Sequence, residues 1–369
     1  MKKLFLFLLI NFPLFSQIER IDLGKMQGGS YQILMPTNWN KTLVMYAHGY
    51  SFMGTPVENS NRDLDKRLSY LLQEGYAVAA SDYISSGMVY SEGIEATEEL
   101  RAAFVEKFHP EKSYIMGHSM GGGITMATIE FYGKNYEGAL ALCPFGSNPS
   151  IQIRKEFDIY ATFNGLYPGI APSLKTLFDL NNDFKLPSFA DIPNFMKNMN
   201  EKLANIPQEE LEIFAKNFDL KVQDIGMSLF FNQNVLRDIA IRFQGNPFDN
   251  TQTVYTGFRD DVKVNLQAER MAATVSPNKY TFTNYDRKGN INKPLLAMHT
   301  LYDQLIPAKF AISNYERGIN QNGKNDLFRV KYTNGSRHCD FRPDQELKVF
   351  HLLKDWAEKG EVPNGGMIE

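Results

Sequence analysis

A chain of 369 residues, 43% of them hydrophobic and 13% aromatic, carries enough apolar material for one large core or a core with a substantial cap. Its formal charge of −3 is spread without long blocks of one sign, which argues against a nucleic-acid partner. The histidines are scattered and the acidic residues lack ligand spacing, so neither metal nor cofactor is expected.

The chain opens with Met1-Lys2-Lys3 and the apolar run Leu4 to Ile10, broken by Asn11 and Pro13. Two lysines before a run too short to span a bilayer read as a signal peptide over residues 1–17, cut near Ser16 or Gln17. Its removal would take the charge to about −5 and deliver an exported protein, periplasmic or secreted. No cysteine follows the run to carry a lipid anchor. Cys143 and Cys339 are too few for a disulfide framework and read as buried free thiols, although export would permit a bridge.

In chain order, Ser30–Pro36 and Thr42–Ala47 read as strands, the second a continuous apolar run opening into His48-Gly49-Tyr50. Leu64, Leu68, Leu71 and Leu72 fall at helical spacing, with Gly75 placed to end the helix at positive φ. Tyr76–Asp82 is the next buried strand, and Ile94, Thr97, Leu100, Phe104 and Phe108 mark another helix. Ser113–His118 reads as a strand, Gly123–Glu130 as a helix, and Gly138–Cys143 as a strand again. This rhythm predicts a doubly wound, mostly parallel sheet covered on both faces. It stops near Ser147. Residues 147–292 are helix-rich and aromatic, with a helix start at Pro207-Gln208-Glu209-Glu210, and read as an inserted cap with a second hydrophobic core. The rhythm resumes with a strand at Lys293–His299, a helix over Pro307–Asn320, a strand at Leu327–Tyr332 and a last helix carrying Val349, Leu352, Leu353 and Trp356 on one face. Residues 18–146 and 293–369 thus form one α/β body.

The densest chemistry lies at Gly117-His118-Ser119-Met120-Gly121, between strand and helix. Glycines at 117 and 121 suit a turn too tight for side chains, which lifts the Ser119 hydroxyl off the sheet at a helix N-terminus. Such a serine needs a base in hydrogen-bond reach and a carboxylate to fix the base's tautomer. On a parallel sheet these come from loops at the same edge, in the order Ser, acid, His. His338, in the loop between the last strand and last helix, satisfies the order; His299 precedes the best acid, and His351 lies opposite an apolar helix face. His118 is expected to pack against neighbouring loops rather than act as the base, since the elbow turns it away. Asp303 follows the strand after the insertion, whereas Asp326 precedes its strand and Asp340 reads as a loop or capping group. Backbone N–H groups of Tyr50 and Met120 are placed to hold an oxyanion. For His48-Gly49 the plainer reading is a tight turn.

His48-Gly49, Gly117–Gly122, Tyr302-Asp303 through Pro307, and Gly335–His338 together resemble the α/β-hydrolase superfamily over roughly residues 30–146 and 293–358. The resemblance implies a serine hydrolase of esters, amides or peptides, with a cap inserted after the sixth strand. Carboxylic esters rank first as substrate, a serine peptidase or amidase second, and a catalytically silent binding protein of the same fold third. His338-Cys339 also matches half of a pattern of tannases and feruloyl esterases, in which cysteines beside the catalytic Ser and His pair. The residue before Ser119 is His118, so that pattern is not completed.

Overall fold

A computed structural model describes residues 18–146, 148–187, 189–276 and 286–368, so the expected signal peptide lies outside the described residues. Among the described residues nine strands form one sheet: β1 (Ile18–Met26), β2 (Gly29–Pro36), β3 (Thr42–Ala47), β4 (Ala77–Ser81), β5 (Lys112–His118), β6 (Gly138–Leu142), β7 (Leu295–Thr300), β8 (Phe328–Thr333) and β9 (Gly366–Met367). Their order is β1-β2-β4-β3-β5-β6-β7-β8-β9. β2 runs antiparallel to both β1 and β4, and every pairing from β4 through β9 is parallel. Every residue of β3, β4, β6 and β7 is buried, as sheets covered on both faces require.

Thirteen α-helices are assigned among the described residues. Those of the body are α1 (Leu64–Arg67), α2 (Ser69–Gln73), α3 (Tyr90–Phe108) and α4 (Met120–Tyr132), then, beyond the cap, α11 (Ala308–Ala311), α12 (Ser313–Gln321) and α13 (Pro343–Lys359). Alternation along the strands divides the core in two. Leu43, Met45 and Ala47 of β3 belong with α3 and α4, while Val44 and Tyr46 belong with α2 and α13. The expected helix over Leu64–Leu72 breaks at Leu68 into two short pieces, yet all four leucines stay buried. The stretch after Pro307 likewise divides at Ile312. β1 went unread because it is an edge strand with Ile21 and Leu23 turned outward, 55% and 70% exposed.

Between β6 and β7 lie α5 (Pro149–Leu166), α6 (Leu174–Phe178), α7 (Ile192–Leu203), α8 (Gln208–Asn217), α9 (Ile225–Phe243) and α10 (Asp261–Gln267). Pro207 is the N-cap of α8. The expectation of a separate second core is corrected. Phe157, Phe163, Phe214 and, from α9, Leu229, Val235, Leu236 and Ile239 join the same apolar cluster as the buried residues of α3 and α4. Polar ties fix this insertion to the body. Asp238 of α9 accepts from the Met88 amide at 2.5 Å, and Arg242 donates to Ser86 O at 2.7 Å and to Asp238 at 2.8 Å. On the other side the Tyr302 hydroxyl donates to Asp224 at 2.6 Å and accepts from the Lys221 amide at 2.9 Å. Among the described residues no helix is long and apolar enough to cross a membrane.

Candidate active site

β3, β5, β7 and β8 are parallel and therefore end at one edge of the sheet. The loops leaving them carry Tyr50, Ser119, Asp303 and His338. Ser119 turns the chain from β5 into α4 with φ 58° and ψ −121°, a sparsely populated conformation for any side chain. The close approach behind it explains the glycines. A Cβ on Gly117 would stand 2.5 Å from Gly121 O and 2.6 Å from Ala47 O, and one on Gly121 would overlap the Ala47 carbonyl. The turn is held by hydrogen bonds from Ser119 N to Leu142 O and from Phe145 N to Ser119 O, both 2.9 Å.

The Ser119 hydroxyl lies 2.8 Å from His338 Nε2, and His338 Nδ1 lies 2.6 Å from Asp303 Oδ2. With Nδ1–H donating to the carboxylate, Nε2 is left to accept the serine proton. Asp303 is 2% exposed, and its other oxygen accepts from the Leu305 and Ile306 amides at 2.9 and 2.8 Å. Burial acts to raise its pKa, but the charge and hydrogen bond of His338, with His299 and the Ile306 amide, outweigh it and hold the carboxyl below its ordinary value. The ionised Asp303 thus contributes stability present at neutral pH, which is lost as pH falls through the depressed native value, below the usual 3.8. Gln304 accepts from the His338 amide at 3.0 Å, fixing the loop that carries this histidine.

The other sequence candidates fall outside this line. His299 is fully buried beside Asp303, with Nδ1 bonded to Thr300 O at 3.0 Å and Nε2 4.0 Å from the carboxylate; burial lowers its pKa, keeping it neutral. His351 pairs with Glu74 at 2.6 Å, and Asp326 lies at the far end of β8. Asp340 is exposed and accepts from the Ser336 amide at 3.1 Å, a loop brace. His118 points through the sheet, bonded to Tyr46 at 3.1 Å and Glu346 at 3.1 Å. Sequence reasoning missed this network, which Arg67 and Tyr70 complete from α1 and α2. Burial works to raise the Glu346 pKa, yet His118, Tyr70 and Arg67 hold it below the usual value. His48 stacks on Tyr83 with centroids 3.9 Å apart, and burial pushes its pKa down to about 4.

Met120 is the first residue of α4, so its N–H has no intrahelical acceptor. Tyr50 follows Gly49, at which a Cβ would lie 3.3 Å from Ser119 Cβ. The two amides expected to hold an oxyanion thus belong to segments flanking the serine. The Tyr50 ring stands edge-on to Phe52 and to Phe231 of the cap, each 5.6 Å between centroids.

The reading of the cysteines as free thiols is overturned: Cys143 and Cys339 form a disulfide across 196 residues, with Cα atoms 5.3 Å apart. Both lie at positive φ, 41° and 54°, in the turns after β6 and around His338. β5 and β6 are neighbours in the sheet, so a cysteine just past β6 reaches the His338 loop although position 118 carries no cysteine. Cys339 Sγ lies 3.4 Å from His338 Nε2. Cys143, Cys339 and His338 converge, but sulfurs bonded to each other are not the thiolates that a metal site needs.

The strand order, the antiparallel second strand and the sharp serine turn after the fifth strand define an α/β-hydrolase fold. No family model matches the chain. An o-phthalyl amidase of Xanthobacter agilis is 21% identical over 404 residues, covering 91% of this chain and 87% of the amidase. Among solved structures, an esterase of Pyrococcus furiosus is 13% identical with a TM-score of 0.46, covering 93% of this chain and 92% of its own. A proline iminopeptidase of Mycobacterium smegmatis is 10% identical with a TM-score of 0.48, covering 92% of this chain and all of its own.

Two outcomes follow from the geometry. Asp303→Asn, which removes the charge that orients and stabilises protonated His338, lowers turnover by about a thousandfold or more, His338→Ala costs more, and Asp340→Asn stays within about twofold. Steady-state rates of the three variants decide this, and a larger loss in Asp340→Asn would mean that Asp340 is the acid. Replacing both Cys143 and Cys339 by Ala lowers the unfolding free energy by about 2–4 kcal/mol. Urea unfolding with and without reductant measures it, and identical curves for variant and oxidised wild type would contradict the bridge.

Proposed function

We propose that the protein is an exported serine hydrolase that cleaves carboxylic esters through an acyl-enzyme on Ser119. The observation that carries this reading is the unbroken hydrogen-bonded line from Ser119 through His338 to Asp303, at 2.8 and 2.6 Å, on a sharp turn at a helix N-terminus. As Ser119 Oγ attacks the carbonyl carbon, its proton passes to His338 Nε2, and the imidazolium is stabilised by Asp303. The oxyanion that forms is held by the Tyr50 and Met120 N–H groups. His338 returns the proton to the leaving group, and water, deprotonated by the same imidazole, releases the acid and restores the serine. The Cys143–Cys339 bridge supports export, because such bonds persist in oxidising compartments, as does the lysine-led apolar run at residues 1–17.

A serine amidase or peptidase is the second reading. It is favoured by the likeness over most of the chain to a protein named for amide cleavage, and the same triad serves both bonds. Phe231 beside Tyr50 suits a pocket wall for acyl or aryl groups, so residues of 147–292 would set a graded preference of about 1–3 kcal/mol per methylene.

The test is a panel of p-nitrophenyl esters and aminoacyl anilides on wild type and Ser119→Ala. Wild type should favour the esters, and Ser119→Ala should lose about a thousandfold or more of kcat while melting like wild type. Near-wild-type turnover in Ser119→Ala would overturn the mechanism, and anilides preferred over esters would select the second reading.

A further inference from the structure

His48 opens the loop that leaves β3, and neither the triad nor the two oxyanion amides use its side chain. It is 3% exposed. Its surroundings fix it from two sides. The ring stacks on the buried Tyr83, and the His48 carbonyl accepts from the Tyr83 hydroxyl at 3.2 Å. That same carbonyl stands where a Cβ on Gly121 would lie 2.6 Å away, so the residue is wedged between Tyr83 and the serine turn. Tyr83 itself is held at φ 62°, a left-handed conformation uncommon for an aromatic residue.

The placement of the ring matters because of what Nδ1 touches. His48 Nδ1 lies 2.7 Å from Gly49 O. A carbonyl oxygen can only accept, so Nδ1 carries a proton and donates it. Burial pushes the pKa down to about 4, so at neutral pH the ring is uncharged and Nε2, buried without a hydrogen-bond partner, is unprotonated. Gly49 O belongs to the peptide unit whose other end is the Tyr50 N–H. That peptide is trans, so its C=O and N–H point in opposite directions. Fixing Gly49 O against the His48 ring therefore fixes where the Tyr50 N–H points, on the far side of the peptide. No backbone carbonyl among the described residues accepts from that N–H. The bond to His48 is what selects its direction, since Gly49 has no side chain to restrict rotation of the peptide. A carbonyl that accepts a hydrogen bond also polarises its peptide and strengthens the opposite N–H as a donor.

We propose that His48 is a positioning residue of the oxyanion site: its Nδ1–H, through Gly49 O, aims the Tyr50 N–H at the oxygen that becomes negative when Ser119 attacks. The inference rests on the hydrolase reading, with Tyr50 as an oxyanion donor, and it gives His48-Gly49 a role beyond a tight turn. The glycine fits the same role. A Cβ at position 49 would lie 3.3 Å from both His118 O and Ser119 Cβ, and would press the peptide away from Ser119. His48 moves no proton in this scheme, because Nδ1 is committed to Gly49 O and the Ser119 proton passes to His338.

The experiment compares His48→Asn and His48→Gln with wild type, as full chains, on p-nitrophenyl acetate. Asn carries its amide nitrogen where Nδ1 stood and keeps a donor for Gly49 O, whereas Gln carries its amide one bond further out, near Nε2. Both lose the stacking on Tyr83, so a merely structural role would damage them alike. In His48→Gln, kcat should fall by about tenfold or more with KM within about threefold, short of the loss that follows outright removal of an oxyanion donor. Inhibition by a trifluoromethyl ketone, which Ser119 converts to a hemiketal oxyanion, should weaken by the same factor. His48→Asn should stay within about threefold of wild type in both measurements. Equal losses in two variants that melt like wild type, a loss confined to KM, or an unchanged kcat in His48→Gln would overturn the positioning role. A crystal structure of the wild-type ketone adduct needs no variant. The hemiketal oxygen should lie within hydrogen-bond distance of Tyr50 N, with His48 Nδ1 still on Gly49 O, and the absence of either contact overturns the role. A wild type that neither cleaves the ester nor takes up a fluorophosphonate on Ser119 would overturn the hydrolase reading, and the role of His48 with it.

Discussion

The backbone of Ser119 is the constraint on which the rest of the site depends. A serine at φ 58° and ψ −121° is unfavourable by about 1–3 kcal/mol and persists only where its surroundings over-determine it. Here the sheet does so. β3 and β5 pair with Ala47 opposite Gly117, and at that level the backbones of Ala47, Gly117 and Gly121 approach too closely for any side chain. The hydrogen bond from Ser119 N to Leu142 O ties the turn to the end of β6 as well. The same close packing aims the hydroxyl at His338 and leaves the Met120 amide unbonded at the head of α4. Neither would survive a relaxed turn.

Around that fixed point the protein braces its partners individually. Asp303 is held by two amides and His338, and His338 by Gln304 through its amide and by the disulfide through the next residue. Below the sheet His118 is locked between Tyr46 and Glu346, so the residue next to Ser119 anchors β5 to α13. The cap is fixed in the same manner, by Asp238 and Arg242 on one side and Asp224 on the other. Its apolar residues continue the core of the body.

Much of this was legible in the residues, for reasons that can be stated. A parallel sheet buries both faces, so Thr42–Ala47 and Gly138–Leu142 announce themselves as unbroken apolar runs. Ser119, Asp303 and His338 could be found because a parallel sheet delivers its loops to one edge in chain order. What escaped depends on lateral neighbours that spacing along the chain does not encode. β1 has its apolar residues facing outward, the disulfide joins loops 196 residues apart, and the Glu346 partner of His118 comes from the last helix.

The most direct measurement is a crystal structure of the protein after reaction with an alkyl fluorophosphonate, which mimics the tetrahedral intermediate. The account predicts phosphorus bonded to Ser119 Oγ, with the phosphonyl oxygen within hydrogen-bond distance of the Tyr50 and Met120 amides and His338 still paired with Asp303. An adduct on any other residue, or a phosphonyl oxygen turned away from both amides, would contradict it.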